Sequence, residues 1–160
     1  MTPSTDTAVR RLFAPLILAL ALINSPSAAS AAEPSPSSSE ANTMKIRLTI
    51  NGQSATATLD DNPTARDFLS MLPLALTLED YASTEKIAYP PRKLSTQGAP
   101  AGIDPEIGDI TYYAPWGNLA LFYKDFGYSA GLIRLGRLDT GVEALSVRGS
   151  LKVTIEATGQ

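Results

Sequence analysis

Residues 105–123 constrain the fold of this chain more than any other segment. They include the only Trp of the sequence, Trp116, and three of its six Tyr residues. Two short runs rich in aromatic and aliphatic residues flank the sequence Pro-Trp-Gly-Asn at 115–118. Aromatic residues favour strands because a pleated surface buries their large apolar bodies, whereas Pro, Gly and Asn favour turns. The segment therefore predicts two paired strands, over 109–114 and 119–124, joined by a turn.

Three further segments alternate apolar and polar residues, which is the pattern of a strand with one buried face. Residues 44–50 and 53–59 flank Asn51-Gly52, a dipeptide that favours hairpin turns because both residues tolerate positive φ. Residues 147–157 alternate in the same way near the end of the chain. The pattern predicts an opening β-hairpin and a terminal strand with one solvent-facing side.

The sequence predicts one regular helix, over residues 64–72. Asn62 can cap its free amide groups, and Pro63 suits the first helical position. Pro73 ends the helix because it cannot continue the hydrogen-bond pattern. A third strand is predicted immediately afterwards, over residues 74–81.

The remaining segments have weaker patterns. We expect a short extended piece at 86–89 followed by an irregular loop that runs to residue 102, and a second loop at 125–131. Residues 132–138 fit either a strand or the edge of a turn, and residues 140–145 fit one short helical turn. Many short strands with frequent turn residues predict an all-β barrel or sandwich. In a barrel, the last strand commonly pairs with the first and removes exposed edges.

Three segments are similar to the bacterial cyclophilin-like family: residues 80–90, 108–120 and 131–136. The resemblance extends over nearly all of the region from residue 44 to the end of the chain. It implies an all-β, mainly antiparallel closed barrel of the cyclophilin-like type with one or two short helices. Prolyl isomerases of the cyclophilin class carry a Phe-His-Arg segment, but this chain contains no His. The resemblance therefore carries over no catalytic residue, and we expect little or no prolyl isomerase activity.

Residues 1–31 have the pattern of an export signal. Arg10 and Arg11 supply positive charge, residues 12–23 form an apolar run, and Ala-Ser-Ala at 29–31 fits a signal peptidase site. An apolar run of this length is shorter than the ~20 residues that span a bilayer. We therefore expect a periplasmic or secreted protein with no membrane anchor after cleavage, exported by the Sec route rather than the twin-arginine route.

The sequence divides into the signal, a flexible Ser- and Pro-rich tether at 32–43, and one domain at 44–160. Removing residues 1–31 changes the net charge from −3 to −4, which gives no electrostatic basis for nucleic-acid binding. Without Cys or His, the sequence offers no zinc site, and it has no Gly-rich phosphate loop. We therefore expect neither a metal nor a cofactor.

The candidate ligand-binding residues are aromatic, amide and Arg side chains near the central block: Tyr81, Arg92, Tyr113, Trp116, Asn118 and Arg134. Because Tyr112 and Tyr113 are adjacent on a strand, one of them must face solvent or a pocket. A Trp in a turn either covers the core or contacts a ligand. An Arg beside Gly or Pro can hold a carboxylate or phosphate with two donors. Glu79, Asp80 and Glu85 are interpreted as ordinary surface charge.

These residues predict an aromatic-lined barrel mouth that binds a small molecule or a peptide segment. The first alternative is a periplasmic prolyl isomerase that uses one Arg to polarise its substrate. Finding Arg92 or Arg134 in an aromatic groove would favour that alternative, and finding both outside one would count against it. The second alternative is a domain whose barrel mouth docks on another protein.

Overall fold

The predicted opening hairpin forms part of the barrel wall in the computed structural model, which describes residues 43–159. Strand β1 (Lys45–Ile50) pairs antiparallel with β2 (Gln53–Leu59) across the Asn51-Gly52 turn. The burial of side chains along β1 follows the alternation of the sequence. Ile46, Leu48 and Ile50 are buried, and their neighbours are not. The signal and nearly all of the tether predicted from the sequence lie outside the described residues.

The other elements follow in chain order: α1 (Pro63–Leu69), β3 (Leu74–Tyr81), β4 (Glu85–Ala88), β5 (Gly102–Ile103), β6 (Asp109–Tyr113), β7 (Asn118–Phe122), β8 (Ser129–Ala130), β9 (Leu132–Thr140), a 3₁₀ helix η1 (Val142–Ser146) and β10 (Leu151–Ala157). Of the two alternatives for residues 132–138, the structure therefore shows a strand. The loop expected at 125–131 contains β8, which pairs with β5 in a small separate sheet.

Eight strands close into one barrel in the order β1-β10-β3-β4-β7-β6-β9-β2. All of the pairings are antiparallel, and β10 closes the barrel by pairing with β1. The predicted fold class is confirmed, including the pairing of the last strand with the first. Within residues 43–159, no helix is long and apolar enough to cross a membrane.

The main core fills the barrel with one face of each strand. Burying each large aliphatic or aromatic side chain stabilises the fold by about 1.5–3 kcal/mol. The largest side chains of this core are Ile46, Leu48, Ile50, Phe68, Leu78, Ile110, Tyr112, Leu119, Leu121 and Leu135. A second, smaller cluster contains Ala120, Phe122 and Leu132, with Ile87, Ile103 and Tyr113 packed against it.

Helix α1 begins where the sequence predicts and ends earlier. The Asn62 side chain accepts a hydrogen bond of 2.8 Å from the Ala65 amide, as expected of a cap. The helix ends at Leu69 rather than at residue 72. The amides of Met71 and Leu72 instead donate to carbonyls three residues back, and such bonds tighten the last turn.

Strand β9 passes very close to β2 at Gly136. A Cβ atom at Gly136 would lie 2.2 Å from the carbonyl oxygen of Thr58, so a larger residue would force the strands apart. Gly136 pairs with Leu59 on one side and Ile110 on the other, next to a register shift between β6 and β9. Glycine at this position allows the tight packing that barrel closure requires.

A buried lysine fastens one loop to the barrel. Lys86 on β4 is completely buried, and its Nζ donates to the carbonyls of Val147 and Gly149, each at 2.7 Å. The same Nζ forms an ion pair of 2.7 Å with Asp80 on β3. The hydrogen bond from Lys86 lowers the pKa of Asp80, with further help from the Gly149 amide. These contacts hold the segment between η1 and β10 against the barrel.

Candidate functional site

Beside the Trp116 turn lies a cavity of about 170 Å³, which we call the aromatic pocket. The side chains that line it come from β3, β4, β6, β7, β8 and β9 and from the loops that carry Trp116 and Phe126. They are Tyr81, Glu85, Tyr113, Trp116, Asn118, Ala120, Phe122, Phe126, Ser129 and Leu132. The pocket thus contains five aromatic and two aliphatic side chains, one carboxyl, one amide and the hydroxyl of Ser129.

The aromatic pocket lies on the outer wall of the barrel and not at its mouth. Leu119 and Leu121 of β7 belong to the core inside the barrel. Because successive side chains of a strand point to opposite faces, Asn118 and Phe122 point outwards. Phe122 accordingly packs in the smaller outer cluster. Strand alternation thus places these side chains on the face of the wall opposite to the main core, whereas the sequence predicts an aromatic-lined barrel mouth.

The turn before β7 places Trp116 at the rim of the pocket. Gly117 adopts φ +79°, which glycine tolerates without strain, and its amide donates to the Tyr113 carbonyl at 2.8 Å. The Trp116 ring meets Tyr81 at 5.5 Å and Tyr113 at 5.6 Å between centroids, both nearly edge to face. Trp116 remains 49% exposed. The Trp116 ring therefore packs against Tyr81 and Tyr113 but does not cover the core.

Tyr112 and Tyr113 face opposite sides of β6, as their adjacency predicts. Tyr112 is buried in the main core, where its hydroxyl accepts a hydrogen bond of 3.2 Å from the Leu94 amide. Tyr113 is half-buried and lines the aromatic pocket. Only Tyr113 of the two can contact a ligand there.

Glu85 adds a carboxyl group that the sequence interpretation placed on the ordinary surface. It lies on the outer face of β4 with Ile87, whereas Lys86 between them points into the barrel. Burial raises the pKa of Glu85 from 4.5 to about 7. Within the part of the chain that the structure describes, no cation pairs with this carboxyl. An acid that titrates near neutral pH in a cavity can bind a cation or exchange a proton with a ligand.

Asn118 carries a polar atom that the fold leaves without a partner. The side chain is 2% exposed, and its Nδ2 donates to the Leu119 carbonyl at 3.0 Å. Because a carbonyl can only accept, this bond fixes the amide orientation and directs Oδ1 elsewhere. Oδ1 has no hydrogen-bond partner among the described residues. A buried acceptor left unpaired costs about 1–3 kcal/mol, and a ligand that brings a donor would recover it.

Comparison with known proteins supports the fold of the barrel on which this pocket lies. The model of the Cyclophilin-like family matches residues 48–156, which is most of the chain. The chain belongs to the cyclophilin-like family. The solution structure of a hypothetical protein from Archaeoglobus fulgidus is similar, with a TM-score of 0.53 and 19% identity. The match covers 72% of this chain and 95% of that one, and at this identity it supports the fold alone. No curated protein matches the sequence.

The two arginine candidates of this cyclophilin-like barrel lie outside the aromatic pocket. Arg92 makes two hydrogen bonds to Asp67 of α1, at 2.7 and 2.9 Å, and these lower the pKa of Asp67 to about 2. Arg134 donates from Nε to Asp60 at 2.7 Å. The structure thus brings together Tyr81, Tyr113, Trp116 and Asn118, and separates Arg92 and Arg134 from them. This placement counts against an isomerase groove with an Arg at its centre.

A larger cavity of about 360 Å³ lies next to Arg134 in the cyclophilin-like barrel. Four of the polar side chains that line it, Asp60, Asn62, Asp109 and Arg134, already have hydrogen-bond partners in the barrel. Arg134 is bonded to Asp60, Asn62 caps α1, and Asp109 accepts from Arg137 at 2.8 Å. We therefore regard the smaller aromatic pocket as the better candidate site.

The described residues of the cyclophilin-like barrel contain no group of three or more His, Cys, Asp or Glu that could hold a metal ion. The groups that line the aromatic pocket offer aromatic faces, the amide of Asn118, the carboxyl of Glu85 and the hydroxyls of Tyr81, Tyr113 and Ser129.

Proposed function

We propose that this cyclophilin-like barrel is a binding domain whose aromatic pocket holds a small molecule or one side chain of a peptide. The observation that carries this proposal is the buried, unpartnered Oδ1 of Asn118, a residue that lines the aromatic pocket. Buried polar atoms are nearly always satisfied, so an unsatisfied acceptor on a residue that lines a pocket suits a ligand-binding position.

The size of the pocket supports a small occupant. Pockets for drug-sized ligands measure about 300–1,000 Å³, whereas this one measures about 170 Å³. It can enclose a group of a few heavy atoms. A larger ligand would leave most of its surface outside, against the exposed rings of Tyr81, Trp116 and Phe126.

Asn118→Leu provides the direct test of binding in this pocket. Leucine has a similar volume and no acceptor to leave unpaired, so the variant should be as stable as the wild type or more stable. Ligand-observed NMR with mixtures of small amines, alcohols, acids and amides should show binding to the wild type and not to the variant. Tyr89→Ala removes an exposed Tyr outside the pocket and should bind like the wild type. Binding that Asn118→Leu leaves unchanged, or no binding at all, would contradict the proposal.

Prolyl isomerase activity is the alternative that the position of the arginines disfavours. Catalysis would require groups that stabilise the twisted transition state of a bond with a barrier of about 18–20 kcal/mol. Because neither Arg92 nor Arg134 lines the aromatic pocket, we expect no acceleration of cis–trans exchange in a proline peptide. Acceleration that is lost in Arg92→Ala or Arg134→Ala would reverse this assignment.

We further propose that the domain acts after export, in the periplasm or outside the cell, on the basis of the signal pattern in residues 1–31. N-terminal sequencing of the exported protein should begin at Ala32 or Glu33. A sequence that begins at Met1 or Thr2 would contradict export with cleavage.

A further inference from the structure

We infer that the group bound in the aromatic pocket is an alkylammonium cation carrying at least one N–H, held by the aromatic rings, the Glu85 carboxyl and the Oδ1 of Asn118. This inference rests on the proposed function and names the chemistry of its ligand.

The walls of the aromatic pocket suit a cation. Trp116 stands at 90° to Tyr81 and at 76° to Tyr113, so the three rings form a corner and not a closed stack. Ring faces left open in this way attract cations through the negative face of the π system, most strongly at Trp. Among the described residues that line the pocket, Glu85 is the only charged one. The pocket therefore presents negative potential without a cation of its own.

The two unpaired acceptors of the pocket favour an N–H donor. The carboxyl of Glu85 and the Oδ1 of Asn118 are both acceptors, and neither is paired with a donor within residues 43–159. A ligand that donates hydrogen bonds would satisfy them, whereas an anion would face unpaired acceptors. Hydrogen bonds to charged groups are also stronger than neutral ones.

Glu85 makes this recognition depend on pH. Burial raises the pKa of Glu85 to about 7, so the carboxyl is mostly neutral at pH 6 and mostly charged at pH 8. Between these values the charged fraction increases roughly tenfold, and binding of a cation should tighten by up to that factor.

The titratable and charged groups near Glu85 come from several elements of the barrel. Tyr81 from β3, Tyr113 from β6 and Phe122 from β7 face it. Tyr123 follows β7, and burial and nearby Asp80 raise its pKa above the usual 10.0. Asp80 itself has a lowered pKa and is paired with Lys86, which lies on the other face of β4. Arg148 acts on Tyr123 only at a distance, through charge.

The test compares three probes of similar size: butylammonium, 1-butanol and tetramethylammonium. Butanol keeps the alkyl chain and a donor without the charge, while tetramethylammonium keeps the charge without a donor. Calorimetric titration at pH 8 should show butylammonium binding about tenfold more tightly than either, and its affinity should fall by roughly tenfold at pH 6. Nα-acetyl-lysine amide, measured in parallel, distinguishes the source: tighter binding than butylammonium identifies a peptide side chain, and weaker binding identifies a free amine.

Glu85→Gln should remove both the preference for butylammonium over butanol and the pH dependence. Glu156→Gln, which removes the same charge from an exposed position of β10, should change neither. Equal affinity for butylammonium and butanol in the wild type, or an unchanged affinity in Glu85→Gln, would overturn the cation inference and leave the proposed function standing. Tetramethylammonium has no N–H group. If it bound as tightly as butylammonium, the proposed role of Asn118 as a hydrogen-bond acceptor for the ligand would be overturned. No binding by any probe or fragment would overturn both.

Discussion

The charged form of Glu85 destabilises the folded protein at the same pH at which we expect its carboxylate to bind a cation. Its pKa is about 7 in the folded protein against 4.5 ordinarily, so the folded state holds more protons than the unfolded state between these values. The free energy of unfolding therefore falls as pH rises through that window. A residue that costs stability at a cavity is typical of binding sites.

Replacing Glu85 with Gln should accordingly stabilise the protein above pH 7. The carboxyl is only half-buried, so solvent screening limits the gain to about 1 kcal/mol at pH 8, with no difference near pH 4. Urea unfolding at both pH values measures this gain. Glu156→Gln serves as the matched control, and equal gains at pH 4 and pH 8 would show that Glu85 titrates normally.

Trp116 should contribute far less to stability than a core aromatic residue. Because half of its surface remains exposed, Trp116→Ala should cost about 1 kcal/mol, the centre of the range for point mutants. Phe68→Ala, at a completely buried site, should cost about 3–5 kcal/mol. Chemical denaturation compares the two variants. A similar loss in both would show that Trp116 belongs to the core.

At the scale of elements, the loop between η1 and β10 depends on one side chain. Lys86→Met should cost about 2 kcal/mol, because two carbonyls and the Asp80 carboxylate lose their buried donor. The Gly149 amide, which donates to Asp80 at 2.7 Å, should exchange with deuterium faster in the variant. Lys45→Met breaks an exposed pair with Asp139 and should cost less than about 1 kcal/mol. Unchanged exchange at Gly149 would mean that the loop is held by other contacts.

Gly136→Ala tests the closest approach between strands. The added methyl group would overlap the Thr58 carbonyl, and overpacking of this kind costs about 1–3 kcal/mol. Gly127→Ala is the matched control, because a Cβ atom there meets no neighbouring atom within 4 Å and, as at Gly136, φ is not positive. Thermal unfolding measures both variants. A Gly136→Ala protein as stable as the wild type would show that β2 and β9 can separate without loss.

Local signals explain which elements the sequence could predict. The Asn51-Gly52 turn, the Asn62 cap and the alternation of β1 and β10 act within a few residues, and each was predicted correctly. Strands β5 and β8 are two residues long and pair only because the barrel brings them together. The sequence also does not show on which face of the sheet Glu85 and Lys86 lie. Two adjacent charged residues do not show which one enters the barrel, and that choice places Glu85 in the pocket.

At the scale of the whole molecule, the barrel wall separates the main core from the aromatic pocket. The main core lies inside the wall, while the aromatic pocket lies outside it on β4, β6 and β7. Sequence similarity and turn patterns were sufficient to predict the closed barrel. They could not predict the face on which the site lies, because the assignment of Asn118 to the outer face depends on the register of β7 against β6.

Strands β1 and β10 lie side by side, and the Thr158 amide donates to the Lys45 carbonyl at 3.0 Å. Around the ring of eight strands, β7 is the fourth strand from β1 in either direction. A fluorescent protein fused at residue 44 or 159, or a solid support attached there, would therefore sit across the barrel from Trp116. The domain attached at either position would therefore present the aromatic pocket to the solution.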